Sequence, residues 1–320
     1  MNQKNILNGV YKVTTTIDIA DLDCVYLSYD EPNKEETWIK IKNMVPWAVR
    51  VDGVKGSDAS HKAAADISTT DRFILIDGDN IPYAEFFNEQ LVLEEQDQPC
   101  VFRWKAENVI NGLRYGNGGL SCWTKEFVYN MRTHENSDGS VENDVEFCFD
   151  PDYISMHDCY STTFPNGSAF QAWRAGFREG VKMCLNKGVR PEVADFKERV
   201  YSRNLDHLTI WQNIGRDVDN GIWAIAGSRM GTYMTMLTPW DYRLVQDFAA
   251  LEDLWQTVKD SNPEILAGRV TEDLTTQLDL PITMYGVEES KFFKFHYRSN
   301  WHNRSVMLRE MDVIRRIEGW

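Results

Sequence analysis

Three short apolar runs alternate with two amphipathic stretches in the first 80 residues. The apolar runs cover residues 24–28, 48–51 and 73–76, and polar turn residues follow them. Runs of this length, bounded in this way, are typical of buried strands in a parallel sheet. Residues 37–44 and 59–67, which lie between the runs, have helical spacing. This order predicts a βαβ sheet of the nucleotide-binding kind.

Local signals complete the prediction. Residues 10–18 are rich in β-branched side chains, which favours a strand, and Ser57 or Asp58 is placed to cap the helix over 59–67. Beyond residue 80 the pattern is less regular. We predict a strand over 100–104, a flexible loop over 115–119, an exposed loop over 135–143, an amphipathic helix over 169–185, an apolar segment over 222–226 and a helix over 240–258.

The charge is unevenly distributed along the chain. The 320 residues carry a net charge of −15, which excludes a protein that coats nucleic acid or anionic membrane by bulk charge. Residues 291–320, here called the C-terminal tail, contain seven Lys and Arg against three Asp and Glu, a net charge of +4. The other 290 residues contain 27 basic and 46 acidic residues, a net charge of −19. Aromatic residues are interleaved with the basic ones in the tail, so an acidic polymer could bind there.

The six cysteines form no C-x-x-C pair, and their spacing indicates neither a zinc site nor a disulfide framework. Buried thiols in a reduced protein are the simplest interpretation. We find no signal peptide, and no apolar run approaches the roughly 20 residues that span a bilayer. We therefore expect a cytoplasmic protein.

The strongest chemical motif is Asp77-Gly78-Asp79, which follows the apolar run 73–76. Ligands of open α/β sheets bind at the carboxyl ends of strands. Two carboxylates there suit Mg²⁺ or Mn²⁺, and that cation would suit a diphosphate. An ordinary polar turn is the alternative, because Asp and Gly favour turns.

Other common motifs are excluded by single positions. An EF-hand that begins at Asp77 would need a glycine at position 82, which is Pro82. Residues 116–119 lack the third glycine of a dinucleotide-binding loop, because position 121 is Ser121. His134-Glu135 is not followed by a second histidine at 138, so it is not a zinc-protease motif.

The segments SYDEPN, GVKGSDASHKAAA and DRFILIDGDN, within residues 28–80, resemble the N-terminal half of GT-A glycosyltransferases. Those enzymes carry a D-x-D motif that holds the metal and diphosphate of a nucleotide sugar. The resemblance implies an α/β, GT-A-like fold with a mostly parallel central sheet flanked by helices and a C-terminal extension. It implies a glycosyltransferase domain over 1–258 and an extension with the basic aromatic tail over 259–320.

Later blocks are similar to a family of glycosyltransferase-like proteins encoded by tailed bacteriophages. They are LRYGNGG at 113–119, Trp173-Arg174, and the glycines spaced through 215–231, and the similarity covers roughly residues 22–256. One branch of that family resembles enzymes that put arabinose on 5-hydroxymethylcytosine in phage DNA.

The resemblance implies roles on the donor side of the site. Ser28, Asp30 and Glu31 would contact the nucleoside or form a polar turn, and Lys55 would reach the donor or be solvated. Gly118 and Gly119 would let a ligand approach the backbone or form an ordinary hairpin loop. Asp77 would contact the ribose or the metal, and Asp79 would bind the metal.

It also implies roles on the acceptor side. Asp217 would be the general base of an inverting enzyme, whereas a retaining enzyme needs no such base and a capping or ion-pair aspartate is the alternative. Arg178 and Glu179 would contact the ligand or form a structural ion pair. His296 or His302 would supply a third metal ligand or belong only to the basic tail. The residues expected to bind DNA are Lys294, Arg298, Trp301 and Arg304.

The function that we predict is a Mn²⁺- or Mg²⁺-dependent glycosyltransferase. Its donor would be a UDP-sugar, with UDP-arabinose as the named candidate, and its acceptor would be 5-hydroxymethylcytosine in double-stranded phage DNA. The alternatives are transfer to a protein, a glycan or a small molecule, and a non-catalytic nucleotide-binding domain.

Overall fold

A computed structural model of the chain describes residues 2–7, 10–131, 133 and 152–287. Its architecture is mixed α/β, with the strands in the first 163 residues and mainly helices after them. The predicted loop over 135–143 lies outside the described residues. The strands are β1 (Asn2–Leu7), β2 (Val10–Asp18), β3 (Asp23–Ser28), β4 (Val49–Asp52), β5 (Arg72–Asp77), β6 (Asn80–Pro82), β7 (Gln90–Leu93), β8 (Val101–Asn108), β9 (Arg114–Thr124) and β10 (Tyr153–Thr163).

Helices occupy most of the chain after β10. Where the structure describes the chain, no helix is long and apolar enough to cross a membrane. The helices are α1 (Lys34–Met44), α2 (Ser57–Ile67), α3 (Lys125–Asn130), α4 (Ala169–Lys182), α5 (Phe196–Arg199), α6 (Ser202–Asn213), α7 (Gly221–Leu237), α8 (Phe248–Val258), α9 (Pro263–Arg269) and α10 (Thr271–Leu278).

The central sheet has seven strands in the order β4-β3-β5-β9-β8-β10-β6. β3 pairs in parallel with both β4 and β5, and β8 pairs in parallel with β10. The other three pairings are antiparallel, so the sheet is mixed and the expectation of a mostly parallel sheet was wrong. The reason is that β9 returns from β8 as a hairpin and lies between β8 and β5. A separate antiparallel sheet contains β1, β2 and β7.

Residues 115–119 belong to strand β9, so the predicted flexible loop was wrong. Gly116 pairs with Lys105 of β8. Gly119 lies against the side chain of Asn80, where a methyl group would overlap the carboxamide nitrogen. Small residues are therefore needed here because a neighbouring side chain occupies the space next to the strand.

Strand β5 supplies both faces of the sheet with core residues. Phe73 and Leu75 pack on the face that α2 and α3 cover, whereas Ile74 and Ile76 pack on the face that α1 covers. Alternation of this kind follows from the two-residue period of a strand. Because both faces are covered, the strand is apolar from Phe73 to Ile76, and Asp77 follows at its carboxyl end.

Helices α4 and α7 cross with their backbones in contact. A methyl group at Gly176 would overlap the carbonyl oxygen of Ala224, and one at Gly180 would overlap that of Ser228. Two glycines of α7 meet carbonyl oxygens of α4 in the same way. The contacts advance together along both helices, so the helices run in the same direction. The four glycines of this α4–α7 crossing are Gly176, Gly180, Gly227 and Gly231.

The helical region differs from the prediction in two places. The expected helix over 240–258 is a short 3-10 helix at Tyr242–Gln246 followed by α8, because Asp247 accepts hydrogen bonds from the first turn of α8 and so begins a new helix. Helix α2 begins at Ser57 itself, and Gly56 precedes it with a positive φ of 95°, so neither Ser57 nor Asp58 caps it.

Helices α9 and α10 lie after the predicted domain boundary at 258 and pack into the same cores as the helices before it. Leu266 of α9 shares a cluster with Trp173 and Phe177, and Leu274 of α10 shares one with Leu208. The boundary at 258 between a glycosyltransferase domain and a C-terminal extension stays a prediction.

Candidate functional site

The Asp77-Gly78-Asp79 turn lies between β5 and β6, where the carboxyl end of β5 leaves the sheet. The Tyr26 hydroxyl donates a hydrogen bond to the Gly78 carbonyl at 2.9 Å. The Phe164 N–H, which follows β10, donates to the Asp79 carbonyl at 2.7 Å. The turn is thus held by two strands that are distant from it in sequence.

Glu31 lies beside this turn. Its carboxylate accepts a hydrogen bond from the Tyr29 N–H at 2.8 Å and occupies the space where a Cβ at position 78 would stand. Glycine at position 78 therefore lets the Glu31 carboxylate rest directly on the turn. We call Glu31, Asp77 and Asp79 the acidic cluster.

The acidic cluster is electrostatically unfavourable when all of its members are ionised. Burial, and then the charges of Asp79 and Glu31, raise the pKa of Asp77 to about 8. Burial and Glu31 also raise the pKa of Asp79 to about 6, although a hydrogen bond from Thr163 and the charge of Arg174 oppose that rise. A cation bound here would relieve the repulsion.

The donor set for such a cation is incomplete. Among the described residues, no group of three or more His, Cys, Asp or Glu side chains is placed to hold a metal ion. Mg²⁺ is commonly held by one or two carboxylates together with substrate phosphates. Asp77 and Asp79 fit that mode, with Glu31 nearby, whereas His296 and His302 lie outside the described residues.

Ser28 is buried at the end of β3 and is engaged within the protein. Its hydroxyl donates to Asp52 at 2.7 Å and accepts from Nε of Arg50 at 2.9 Å. Lys34 binds the same Asp52 carboxylate at 2.8 Å. Hydrogen bonds from Lys34 and Ser28 lower the pKa of Asp52. This network lies at the carboxyl ends of β3 and β4, next to the acidic cluster.

The remaining residues of the predicted donor side are spread around this edge of the sheet. Asp30 and Lys55 are exposed, in the turns after β3 and β4. Gly118 and Gly119 lie in β9, where Gly119 packs on Asn80. The structure thus brings Glu31 to Asp77 and Asp79, and places Ser28 in a neighbouring network.

Asp217 lies in the turn between α6 and α7. Its carboxylate accepts a hydrogen bond from the Val287 N–H at 2.6 Å. The same turn is joined to the loop after β10, because Asn166 donates to the Asp219 carbonyl at 3.0 Å and Asn220 donates to the Asn166 carbonyl at 2.9 Å. That loop begins at the residue that binds the Asp79 carbonyl, so it connects the Asp217 turn to the acidic cluster.

Arg178 and Glu179 lie on α4. The Glu179 carboxylate forms an ion pair with Lys182 at 2.7 Å, which supports the structural alternative for this residue. The Arg178 guanidinium lies 5.0 Å from the ring centroid of Phe248.

Two residues near the site had not been predicted. Arg174 affects Asp79 electrostatically, and Asn80 is fully buried with both carboxamide atoms lacking a hydrogen-bond partner among the described residues. In the sequence, only its position directly after Asp79 indicated that Asn80 lies near the site. Arg174 belongs to the Trp173-Arg174 block of the resemblance, but the helical pattern gave it no role in the site. The predicted DNA-binding residues Lys294, Arg298, Trp301 and Arg304 lie outside the described residues, and the described chain ends at Val287.

The chain matches no protein-family model, no curated protein and no solved structure. The resemblance to GT-A glycosyltransferases therefore rests on the residues quoted above.

Proposed function

We propose that this protein is a metal-dependent glycosyltransferase with a GT-A-like fold. It would transfer a sugar from a nucleotide sugar to 5-hydroxymethylcytosine in phage DNA, in the cytoplasm of the infected cell. The observation that carries the proposal is the acidic cluster at the carboxyl end of β5, in which burial and mutual repulsion raise the pKa values of Asp77 and Asp79.

The roles follow from the positions of the side chains. Asp77 and Asp79 would hold Mn²⁺ or Mg²⁺, which when bound would neutralise charge on the nucleoside diphosphate. The network at Ser28 offers hydroxyl and carboxylate groups next to the cluster, where the nucleoside would bind. Asp217, on the turn joined to the loop after β10, would accept the proton of the acceptor hydroxyl in an inverting reaction.

The distribution of charge along the chain favours DNA as the acceptor. The body of the chain at −19 would repel DNA, whereas the C-terminal tail at +4 would hold phosphates and present aromatic side chains to bases. The structure places Val287, the last described residue before the tail, against Asp217. The described chain therefore ends beside Asp217, on the acceptor side of the proposed site.

The test is transfer to DNA. The protein is incubated with Mn²⁺, a panel of UDP-sugars including UDP-arabinose, and DNA that contains 5-hydroxymethylcytosine, and the nucleosides are then analysed by mass spectrometry. We expect the mass of one sugar on hydroxymethylcytosine, none on unmodified DNA, and none with Asp79→Ala. Binding of a UDP-sugar without transfer to any acceptor would contradict the proposal and assign the non-catalytic alternative.

The DNA site has its own control. Replacing Arg298, Arg304 and Arg315 together should weaken DNA binding and flatten its salt dependence, with donor binding unchanged. Full activity of this variant on DNA would exclude the tail as the acceptor site.

A further inference from the structure

The Arg174 side chain lies between two aromatic rings. Its guanidinium lies 5.1 Å from the ring centroid of Phe170 and 5.1 Å from that of Phe248. Within the part of the chain that the structure describes, no carboxylate pairs with this guanidinium and no oxygen accepts its N–H groups. The rings fix the position of this half-buried arginine, and its hydrogen-bond donors are not used by the described residues.

Arg174 lies near the acidic cluster. Helix α4 begins directly after the loop whose Phe164 N–H binds the Asp79 carbonyl. Arg174 is close enough to Asp79 for its charge to act on that carboxyl group, yet the two side chains form no ion pair. A positive group and a negative group therefore lie within electrostatic range of each other without forming an ion pair.

A second cation stands beside the first. Arg178 lies one helical turn further along α4 and stacks on the same Phe248 ring at 5.0 Å. The two guanidinium groups, four residues apart, place positive charge on one face of α4. The planar guanidinium of arginine matches the paired oxygens of a phosphate group.

We propose that Arg174 binds the terminal phosphate of the nucleoside diphosphate, on the side opposite to the acidic cluster. This inference rests on the proposed function and adds a residue to it. During transfer, the bond between the anomeric carbon and the terminal phosphate oxygen breaks, and a bond from the acceptor oxygen to that carbon forms. The acceptor proton goes to a base, and the electron pair stays on the phosphate oxygen. Arg174 would donate hydrogen bonds to that phosphate as its charge increases.

The test compares ligands that differ only in the terminal phosphate. Affinities of UDP and UMP are measured by calorimetry in the presence of Mn²⁺ for the wild-type protein, Arg174→Met and Arg174→Lys. Arg269→Met is the matched control, since it removes the same charge from an exposed position on α9. We expect Arg174→Met to weaken UDP binding by about tenfold or more and UMP binding by less than about twofold. Arg174→Lys should be intermediate, and Arg269→Met should bind UDP like the wild type.

The outcomes separate the two proposals. If the wild-type protein binds UDP and the Arg174 variants bind it equally well, the assignment of Arg174 is wrong while the proposed function stands. If the wild-type protein binds neither UDP nor the diphosphates of the other nucleosides, the proposed function fails and the inference fails with it. Thermal unfolding of each variant shows whether it is folded. If Arg174→Met does not fold, Arg174→Lys decides the question, and unchanged UDP affinity in that variant overturns the assignment.

Discussion

The carboxylate of Asp217 accepts a hydrogen bond from the backbone N–H of Val287 at 2.6 Å, across 70 residues of sequence. The neighbouring Gly286 lies against the same carboxylate, where a side chain would overlap it. Asp217 thus anchors the end of the described chain to the turn between α6 and α7. This anchoring is independent of any catalytic role, and the two can be separated experimentally.

Asp217→Asn keeps an oxygen that accepts the Val287 hydrogen bond but cannot take a proton from an acceptor. We expect this variant to unfold at nearly the wild-type temperature and to lose at least about a hundredfold in kcat. Asp217→Ala should also lose about 1–2 kcal/mol of stability, because the Val287 N–H loses its acceptor. The measurements are thermal unfolding and single-turnover transfer rates. Wild-type kcat in Asp217→Asn would leave Asp217 only its anchoring role.

Asp77→Asn should stabilise the metal-free protein at pH 8. The folded-state pKa of Asp77, about 8, lies above its ordinary value of 3.8, so ionisation of this carboxyl costs stability increasingly as the pH rises from about 4 to 8. An asparagine does not ionise. We expect a gain of at least about 1 kcal/mol at pH 8 that disappears near pH 4.

Asp30→Asn is the control for that experiment, because Asp30 is an exposed acid of the same region. Mn²⁺ should raise the unfolding temperature of the wild-type protein and of Asp30→Asn, but not that of Asp77→Asn. A gain in stability for Asp77→Asn that does not depend on pH would show that the acidic cluster is not the cause.

His207 should make the protein sensitive to acid. It is buried against Tyr115, and burial, with smaller contributions from Arg203 and Lys105, lowers its pKa to about 3. The unfolded chain takes up this proton near pH 6.5 and the folded chain does not, so stability is lost as the pH falls from about 6.5 toward 3. Urea unfolding at pH 7.5 and 5.0 measures the loss. His207→Gln should reduce the difference between the two pH values, and an unchanged difference would assign it to other groups.

The α4–α7 crossing should not tolerate a methyl group. Gly227→Ala places one against the carbonyl oxygen of Trp173, and we expect a loss of about 1–3 kcal/mol or more, because two backbones have to separate. Gly268→Ala is the matched control, since nothing lies within 4 Å of a Cβ built there. That helical position should gain up to about 1 kcal/mol. Chemical denaturation of the two variants gives the comparison, and equal stabilities would show that the crossing can adjust.

Local patterns predicted the βαβ unit well. Strands β3 and β5 and helix α1 occur where the apolar runs and the helical spacing placed them, and the acidic motif follows β5 as expected. These features depend on residues that are close in sequence, so periodicity and turn residues suffice to indicate them. The predicted strand over 10–18 and the helix over 169–185 were confirmed for the same reason.

Features that depend on distant partners were not predicted. Residues 115–119 have the composition of a loop, and they form a strand because β8 and β5 pair with them on either side. Likewise, the contact between Glu31 and Gly78, the contact between Arg174 and the Phe248 ring, and the hydrogen bond from Val287 to Asp217 all join segments that lie far apart in the chain. No pattern within one segment carries information of that kind.

The α4–α7 crossing has a practical consequence for protein engineering. Helix α4 carries Arg174, and α7 begins just after the turn that carries Asp217. Main-chain contact between the two helices therefore fixes the spacing between these two parts of the proposed site. Side chains that face a ligand can then be exchanged without moving the helices that present them. Libraries that vary exposed positions of α4 and α7 should therefore stay folded as long as the four glycines are kept.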